Sequence, residues 1–350
     1  MSNNNRYLRN SWYVAALSSE LGAEQFLVRT IMDVPVLLYR KEDDSPVALH
    51  DRCPHRFAPL HLGSRDGDEV VCKYHGLKFN CEGQCTENPH GNGHIPKAAK
   101  VRSYPLLEKF GFIWIWMGEK ASDPALLQDF SELENGPDNG VGYTYMRMTA
   151  NYKLILDNVM DLSHVDHVHG DAINTRGQLS PKSPKVESVG DAVVTSCEWE
   201  QTPPMLIFAD FLPKPESEAR HYFKVTWTPP TNLQLSVGAT QSESGFDELV
   251  GQYDVHLITP ESPNSTHYFF ASRRNYNEED PEYNAQKIQA MHDAFEHEDG
   301  PIIKAVHDMM GDNEFFDLNP VLTSNDVAAV RMRKKLESLI DEDSGVLASD

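Results

Sequence analysis

The feature that most constrains this chain is a pair of short motifs, Cys53-Pro54-His55 and Cys72-Lys73-Tyr74-His75. Each offers one soft thiolate and one imidazole, with residues 56–71 between them. This interleaved order suits a [2Fe–2S] cluster in which one iron takes two Cys and the other two His, because each loop can give its Cys to one iron and its His to the other. A zinc site more often separates a Cys pair from a His pair. The cluster ligands are therefore read as Cys53, His55, Cys72 and His75. Such a cluster moves electrons, and the rest of the chain must explain what they are used for.

At 350 residues the chain is long enough for about two domains of roughly 100–200 residues each. A composition 40% hydrophobic and 24% charged fits an ordinary globular protein. The longest apolar stretch, residues 112–117, is far too short to cross a bilayer, and Met1–Arg6 lacks the apolar core of a signal peptide. Five cysteines do not make a disulfide framework in a chain this long, and two of them are already assigned to the cluster. Cys81, Cys85 and Cys197 are left as free thiols, so cytoplasm is the expected compartment. A net charge of −22 argues against nucleic acid, which is bound by neutralising its phosphates. Arg52, Arg56, Lys73 and Lys78 gather near the cluster motifs, either as scattered solvated side chains or as a docking patch for an acidic electron donor.

The first 120 residues read as short strands and turns. Val34–Tyr39 and Val47–His50 flank a turn composition at Lys41–Pro46, Phe79–Cys85 reads as a hairpin turning at Gly83, and Phe110–Met117 is aromatic and β-branched. Residues 119–140 are polar and turn-rich, which predicts a boundary between an all-β domain, 1–120, and a second domain, 121–350. The second domain combines strand candidates at 223–227 and 267–270 with helical patterns at 151–168 and 282–310. A last amphipathic helix, Asp326 to Ile340, is followed by an acidic tail. The fold class expected is α+β.

An electron carrier alone needs only the first third of the chain. The segment Asn158 to Gly170 supplies a use for the rest, since it carries His164, His167 and His169 within six residues. A mononuclear non-haem iron site takes two His and one carboxylate and keeps positions open for oxygen. Asn158, Asp161 and His164 are spaced to share a helix face. His167 would join them on a continuous helix, and His169 only if the helix ends or distorts, so spacing leaves that choice open. For the carboxylate, Asp299 falls in the gap of an apolar stripe formed by Ile288, Met291, Phe295, Ile302, Val306 and Met309, where a carboxylate is costly unless paired or metal-bound. Pro301 should kink the helix beside it. Glu298 is the competing carboxylate.

Together the motifs resemble the oxygenase component of the Rieske non-haem iron oxygenases, nearest in pattern to the vanillate O-demethylase, dicamba O-demethylase and toluenesulfonate methyl-monooxygenase group. Trp12-Tyr13-Val14-Ala15, the two cluster motifs, Gly111 to Trp116, Asn158 to His164 and Glu298-Asp299 carry the likeness. The resemblance implies a Rieske domain followed by a helix-grip catalytic domain, with Fe(II) held by His164, His169 and Asp299 and with His167 left over. Phe295-Glu296-His297-Glu298-Asp299 is one residue longer than in the relatives between the Phe and the acidic pair. Asn158 and Asp161 enter the catalytic motif. Asp161 is implied to link His75 of a neighbouring subunit to His164 in a head-to-tail homotrimer. Electrons would come from NADH through a separate reductase, with or without a ferredoxin.

The implied reaction is oxygen insertion into an aromatic acid, ether or sulfonate by a monooxygenase or O-demethylase. In demethylating members, hydroxylation of a methoxy carbon gives a hemiacetal that collapses to a phenol and formaldehyde. His256 matches a substrate-side position and could bond an acidic substrate group, or serve as a structural strand histidine. A ring cis-dihydroxylase is the nearest alternative, disfavoured by chain length. A pure Rieske electron carrier leaves residues 150–310 without a task.

Overall fold

The computed structural model describes residues 6–347. Most of the N-terminal segment read for a signal peptide, Met1–Asn5, lies outside them. No helix among the described residues is long and apolar enough to cross a membrane. The described residues divide into two compact units, Arg9–Leu127 and, together, residues 6–8 and 128–347.

The first unit is built from three small antiparallel sheets. Val34–Arg40 pairs with Pro46–His50 across the expected turn, and the short strands Lys78–Phe79 and Cys85–Glu87 form the expected hairpin, with Gly83 at φ 77°. Phe112–Trp116 is buried along its whole length. The strand read from Phe110 begins two residues later, because Phe110 and Gly111 take φ 60° and 80°. Two consecutive positive-φ residues make the tight turn that matches strand twist, here back to Leu106–Lys109.

The second unit centres on a seven-stranded antiparallel sheet. Across it run Val141–Met148, Ser265–Arg274, Val250–Ser262, Asn232–Thr240, Ala219–Thr228, Ala192–Gln201 and Lys185–Val189. Its helices are α1 (Tyr152–Met160), α2 (Val165–Val168), α3 (Leu206–Ala209), α4 (Pro281–Ala294), α5 (Gly300–Met310) and α6 (Val327–Leu347). A Cβ on Gly142 would lie 3.1 Å from the Ile288 Cβ, so the missing side chain lets α4 settle closely on the strand Val141–Met148.

Two helical readings are corrected. The helix expected over 151–168 stops at Met160, where Asp161 adopts φ −112° and ψ 100°. The Asp161 carboxylate then accepts from Ser163 N at 2.9 Å and caps a new turn, Leu162–His164, that leads into α2. The helix expected over 282–310 is interrupted by a π turn, Phe295–Asp299. Pro301 has no N–H to continue the ladder, and Gly300 N reaches back to Phe295 O instead. A π turn absorbs one residue more than an α turn. The wide turn rotates α5, so Ile302, Val306 and Met309 are not core residues: they are 49%, 42% and 88% exposed, and Ile303 is the buried one. The last helix also runs beyond Ile340, which makes Asp341-Glu342-Asp343 helical and not a tail.

α1 is held in place by α6. Arg333 donates from Nε and Nη2 to both oxygens of Asp157, at 2.5–2.8 Å. Removing one member of such a pair strands the other charge in a poorly solvated place. Arg333→Met should lower stability by about 3 kcal/mol in urea melts followed by far-UV circular dichroism. Adding Asp157→Leu should recover part of the loss. A loss below about 0.5 kcal/mol would place the pair among the weak surface bridges.

Candidate metal centres and active site

The two cluster motifs fold as conformational copies. Cys53 N donates to Ala58 O at 2.9 Å and Cys72 N to Leu77 O at 2.8 Å, while Phe57 N and Gly76 N return to the respective Cys carbonyls at 2.9 and 2.8 Å. The fourth residue after each Cys is left-handed, Gly76 at φ 72° and Phe57 at φ 60°. Glycine adopts this conformation freely, whereas Phe57 adopts it at a cost of about 1–2 kcal/mol. Both sulfurs are buried, and the His55 and His75 rings lie toward the surface with centroids 4.5 Å apart. Burial pushes the Cys53 thiol up to about 11, with Cys72 adding to the shift; a metal centre would stabilise it as the thiolate. Lys78 is ion-paired to Asp66 and Glu87 at 2.7 Å each, which takes it out of the basic group near the motifs.

The second constellation comes together from three directions. His164 ends the new turn after Asp161, His169 follows α2 in extended conformation, and Asp299 closes the π turn. His164 Nε2 lies 3.4 Å from Asp299 Oδ1, and His169 Nε2 lies 3.5 Å from Oδ2. Among the described residues, these three form the one group whose metal-ligating atoms all lie within 4.8 Å of one another. Bonds of about 2.1 Å to a common centre give donor separations of roughly 3–3.5 Å, the size of the two His–Asp299 distances. His167 stays outside, exposed and 3.0 Å from the Ser180 hydroxyl.

Neighbours aim each candidate ligand. The Asp161 carbonyl accepts from His164 Nδ1, and Glu298 accepts from His169 Nδ1 at 2.7 Å, so both rings turn Nε2 inward. Burial lowers the His164 basicity and favours the neutral form that binds metal. Asn158 Nδ2 donates to Asp299 Oδ1 at 3.0 Å. Asp299 is 1% exposed, and its Oδ2 has no hydrogen-bond partner. A buried carboxylate oxygen left in this state is costly unless a cation meets it, and the two-His, one-carboxylate set is the one ferrous iron takes.

The triad opens into a cavity of about 100 Å³ walled by groups such as Leu179, Trp199, Phe208, Phe223 and Phe295. His256 also lines it, with Nδ1 2.6 Å from the Tyr268 hydroxyl and burial lowering it to about 3. His256 is thus a neutral imidazole facing an apolar space.

Residues 11–105 match the Rieske [2Fe-2S] domain, and residues 148–342 match the vanillate O-demethylase oxygenase C-terminal domain. The chain is 35% identical to the oxygenase component of dicamba O-demethylase from Stenotrophomonas maltophilia, over 95% of this chain and 98% of that one. It is 36% identical to the iron-sulfur subunit of the toluene-4-sulfonate monooxygenase system from Comamonas testosteroni, over 85% and 88%. A crystal structure of dicamba monooxygenase with non-haem iron and dicamba superposes with a TM-score of 0.81 at 31% identity, covering 97% and 99% of the two chains. The protein belongs to the Rieske oxygenase family, as an oxygenase component with a vanillate O-demethylase type of C-terminal domain.

Sequence reasoning treated Glu298 only as a rival ligand; its place as the His169 partner depends on the π turn. The polar residues Gln252 and Asp254 beside His256 were also passed over, although their alternate spacing on an apolar strand was the available signal. Glu298→Ala should weaken ferrous iron binding at the triad about 10–100-fold in equilibrium dialysis and leave the visible absorption of the cluster unaltered. Unchanged iron affinity would rule out Glu298 as the group that orients His169.

Proposed function

We propose that the protein is the terminal oxygenase of a multicomponent system, hydroxylating an aromatic substrate with dioxygen and electrons that reach it from NADH through a separate reductase, with or without a ferredoxin. The observation that carries this reading is a buried two-His, one-carboxylate triad opening onto an apolar cavity in a chain that also holds a Rieske motif pair. The division of labour follows the chain: residues 1–120 receive electrons at Cys53, His55, Cys72 and His75, and residues 121–350 hold ferrous iron at His164, His169 and Asp299. When bound, the cluster stores an electron and the iron activates oxygen. Asn158 and Glu298 hold Asp299 and His169 in register, and the apolar walls exclude water. The outcome is monooxygenation or O-demethylation, in the cytoplasm.

Electron delivery is assigned to a homotrimer in which His75 of a second copy faces Asp161. An apolar groove reaches Asp161 and His164 and is lined by Ile302, Val306, Phe315 and Leu322. Phe57 and Tyr74 stand exposed at the tips of the cluster loops. An exposed aromatic tip and an exposed apolar groove are complementary, and covering both accounts for side chains that a monomer leaves in water.

Asp161→Asn should leave both metal centres loaded, by iron and sulfide content, while turnover slows severely; normal turnover would sink the bridging role. Reduced wild-type protein given oxygen once should consume it in step with hydroxylated product, and methoxy-aromatic substrates should release formaldehyde. Re-oxidation of the cluster with no product would mark a pure electron carrier.

A further inference from the structure

The strand Val250–Ser262 carries a polar stripe into the cavity that neither metal centre uses. Gln252, Asp254 and His256 alternate along it, so all three side chains share one face, and all three line the cavity. Register fixes Asp254 between Leu235 on one neighbouring strand and Ser272 on the other. Gln252 Nε2 donates to Asp254 Oδ2 at 2.6 Å. Asp254 Oδ1, Gln252 Oε1 and His256 Nε2 are buried without a hydrogen-bond partner. Asp254 is fully buried, and burial pushes its carboxyl up to about 6, partly offset by Ser272 and Gln252.

The charges around this stripe are one-sided. No Lys or Arg lines the cavity among the described residues, whereas Asp254 and Asp299 both do. Arg274, opposite Gln252 across the strand pair, is spent on Asn284, the Asn139 and Asn277 carbonyls and the Tyr283 ring. Lys287 on α4 is attracted to Asp254, but it forms no ion pair within 4.0 Å among the described residues and does not line the cavity. His256 is held neutral by burial. With ferrous iron at the triad Asp299 is charge-matched, which leaves Asp254 as the uncompensated carboxylate of the cavity. An anionic group seated beside it would add like charge to a poorly solvated place that no Lys or Arg lines among the described residues. A hydrogen-bond donor would instead satisfy oxygens that are otherwise stranded.

We propose that Asp254 is the specificity-determining residue of the cavity and selects an aromatic substrate that presents an O–H, N–H or ammonium donor over one bearing a carboxylate or sulfonate. Gln252 holds the carboxylate in place and offers Oε1 as a second acceptor. His256 Nε2 supplies a donor when the Tyr268 hydroxyl donates to Nδ1, which suits an ether or carbonyl oxygen on the same ring. Of the acid, ether and sulfonate classes, the cavity thus fits an un-ionised aryl ether with a donor group. This deepens the oxygenase reading and rests on it.

The test is calorimetric binding to anaerobic holoenzyme with ring-matched ligands: 3-methoxyphenol and 3-methoxyaniline against 3-methoxybenzoate and 3-methoxybenzenesulfonate. The donor pair should bind about tenfold tighter or more, since a site built around buried polar groups rejects ligands that leave them unpaired. The near-isosteric Asp254→Asn removes the charge and adds a donor, so the ratio should collapse or reverse. Anions binding wild type as tightly as the donors would overturn the proposal without recourse to any variant. So would an Asp254→Asn protein with native circular dichroism and an unchanged ratio. Oxygen uptake is read separately: its absence with a tightly bound donor ligand would refute the oxygenase reading while leaving the binding preference intact.

Discussion

The structure turns on one carboxylate placed where a carboxylate is hardest to keep. Asp299 is almost fully buried, one of its oxygens is held by Asn158, and the other has no hydrogen-bond partner. Burial of that kind is tolerated only when something positive arrives, and two imidazoles wait beside it with their second nitrogens already occupied. The surrounding architecture serves this arrangement. A π turn brings Asp299 inward, a broken helix places His164 and His169 on either side, and Arg333 anchors the helix that carries Asn158.

The same π turn links the interior to the surface. It turns Asp299 and Phe295 inward while Ile302, Val306 and Met309 turn outward. A monomer gains nothing from that exposure. It becomes intelligible if the groove beside Asp161 receives the cluster loops of a second copy, which also present exposed aromatics. One local departure from α-helix geometry thus shapes both the candidate iron site and the face proposed to receive electrons.

Much of this was legible in the sequence because the chemistry is local there. The cluster motifs are short, their candidate ligands are read directly from spacing, and the loops fold as near copies. Asp299 was legible as a charge in an apolar stripe, although the stripe itself was wrong beyond Phe295. Periodicity assumes one uniform turn, and Pro301 had signalled a disturbance without saying that the helix would widen. For the same reason spacing could not choose between His167 and His169: Asp161 caps a new turn, an outcome set by its own side chain. Gln252 and Asp254 were passed over because a polar residue on a strand usually faces water. Only the packing of helices over the sheet turns this stripe toward a cavity.

The most direct test of the buried triad is Mössbauer spectroscopy of iron-57-enriched, anaerobically purified holoenzyme. Beyond the irons of the Rieske cluster, one high-spin ferrous iron per chain is expected, and it should vanish in Asp299→Ala while the cluster signals remain. A spectrum containing the cluster alone, in protein whose triad is empty or filled by zinc after exposure to ferrous iron, would contradict the assignment of His164, His169 and Asp299 as an iron site.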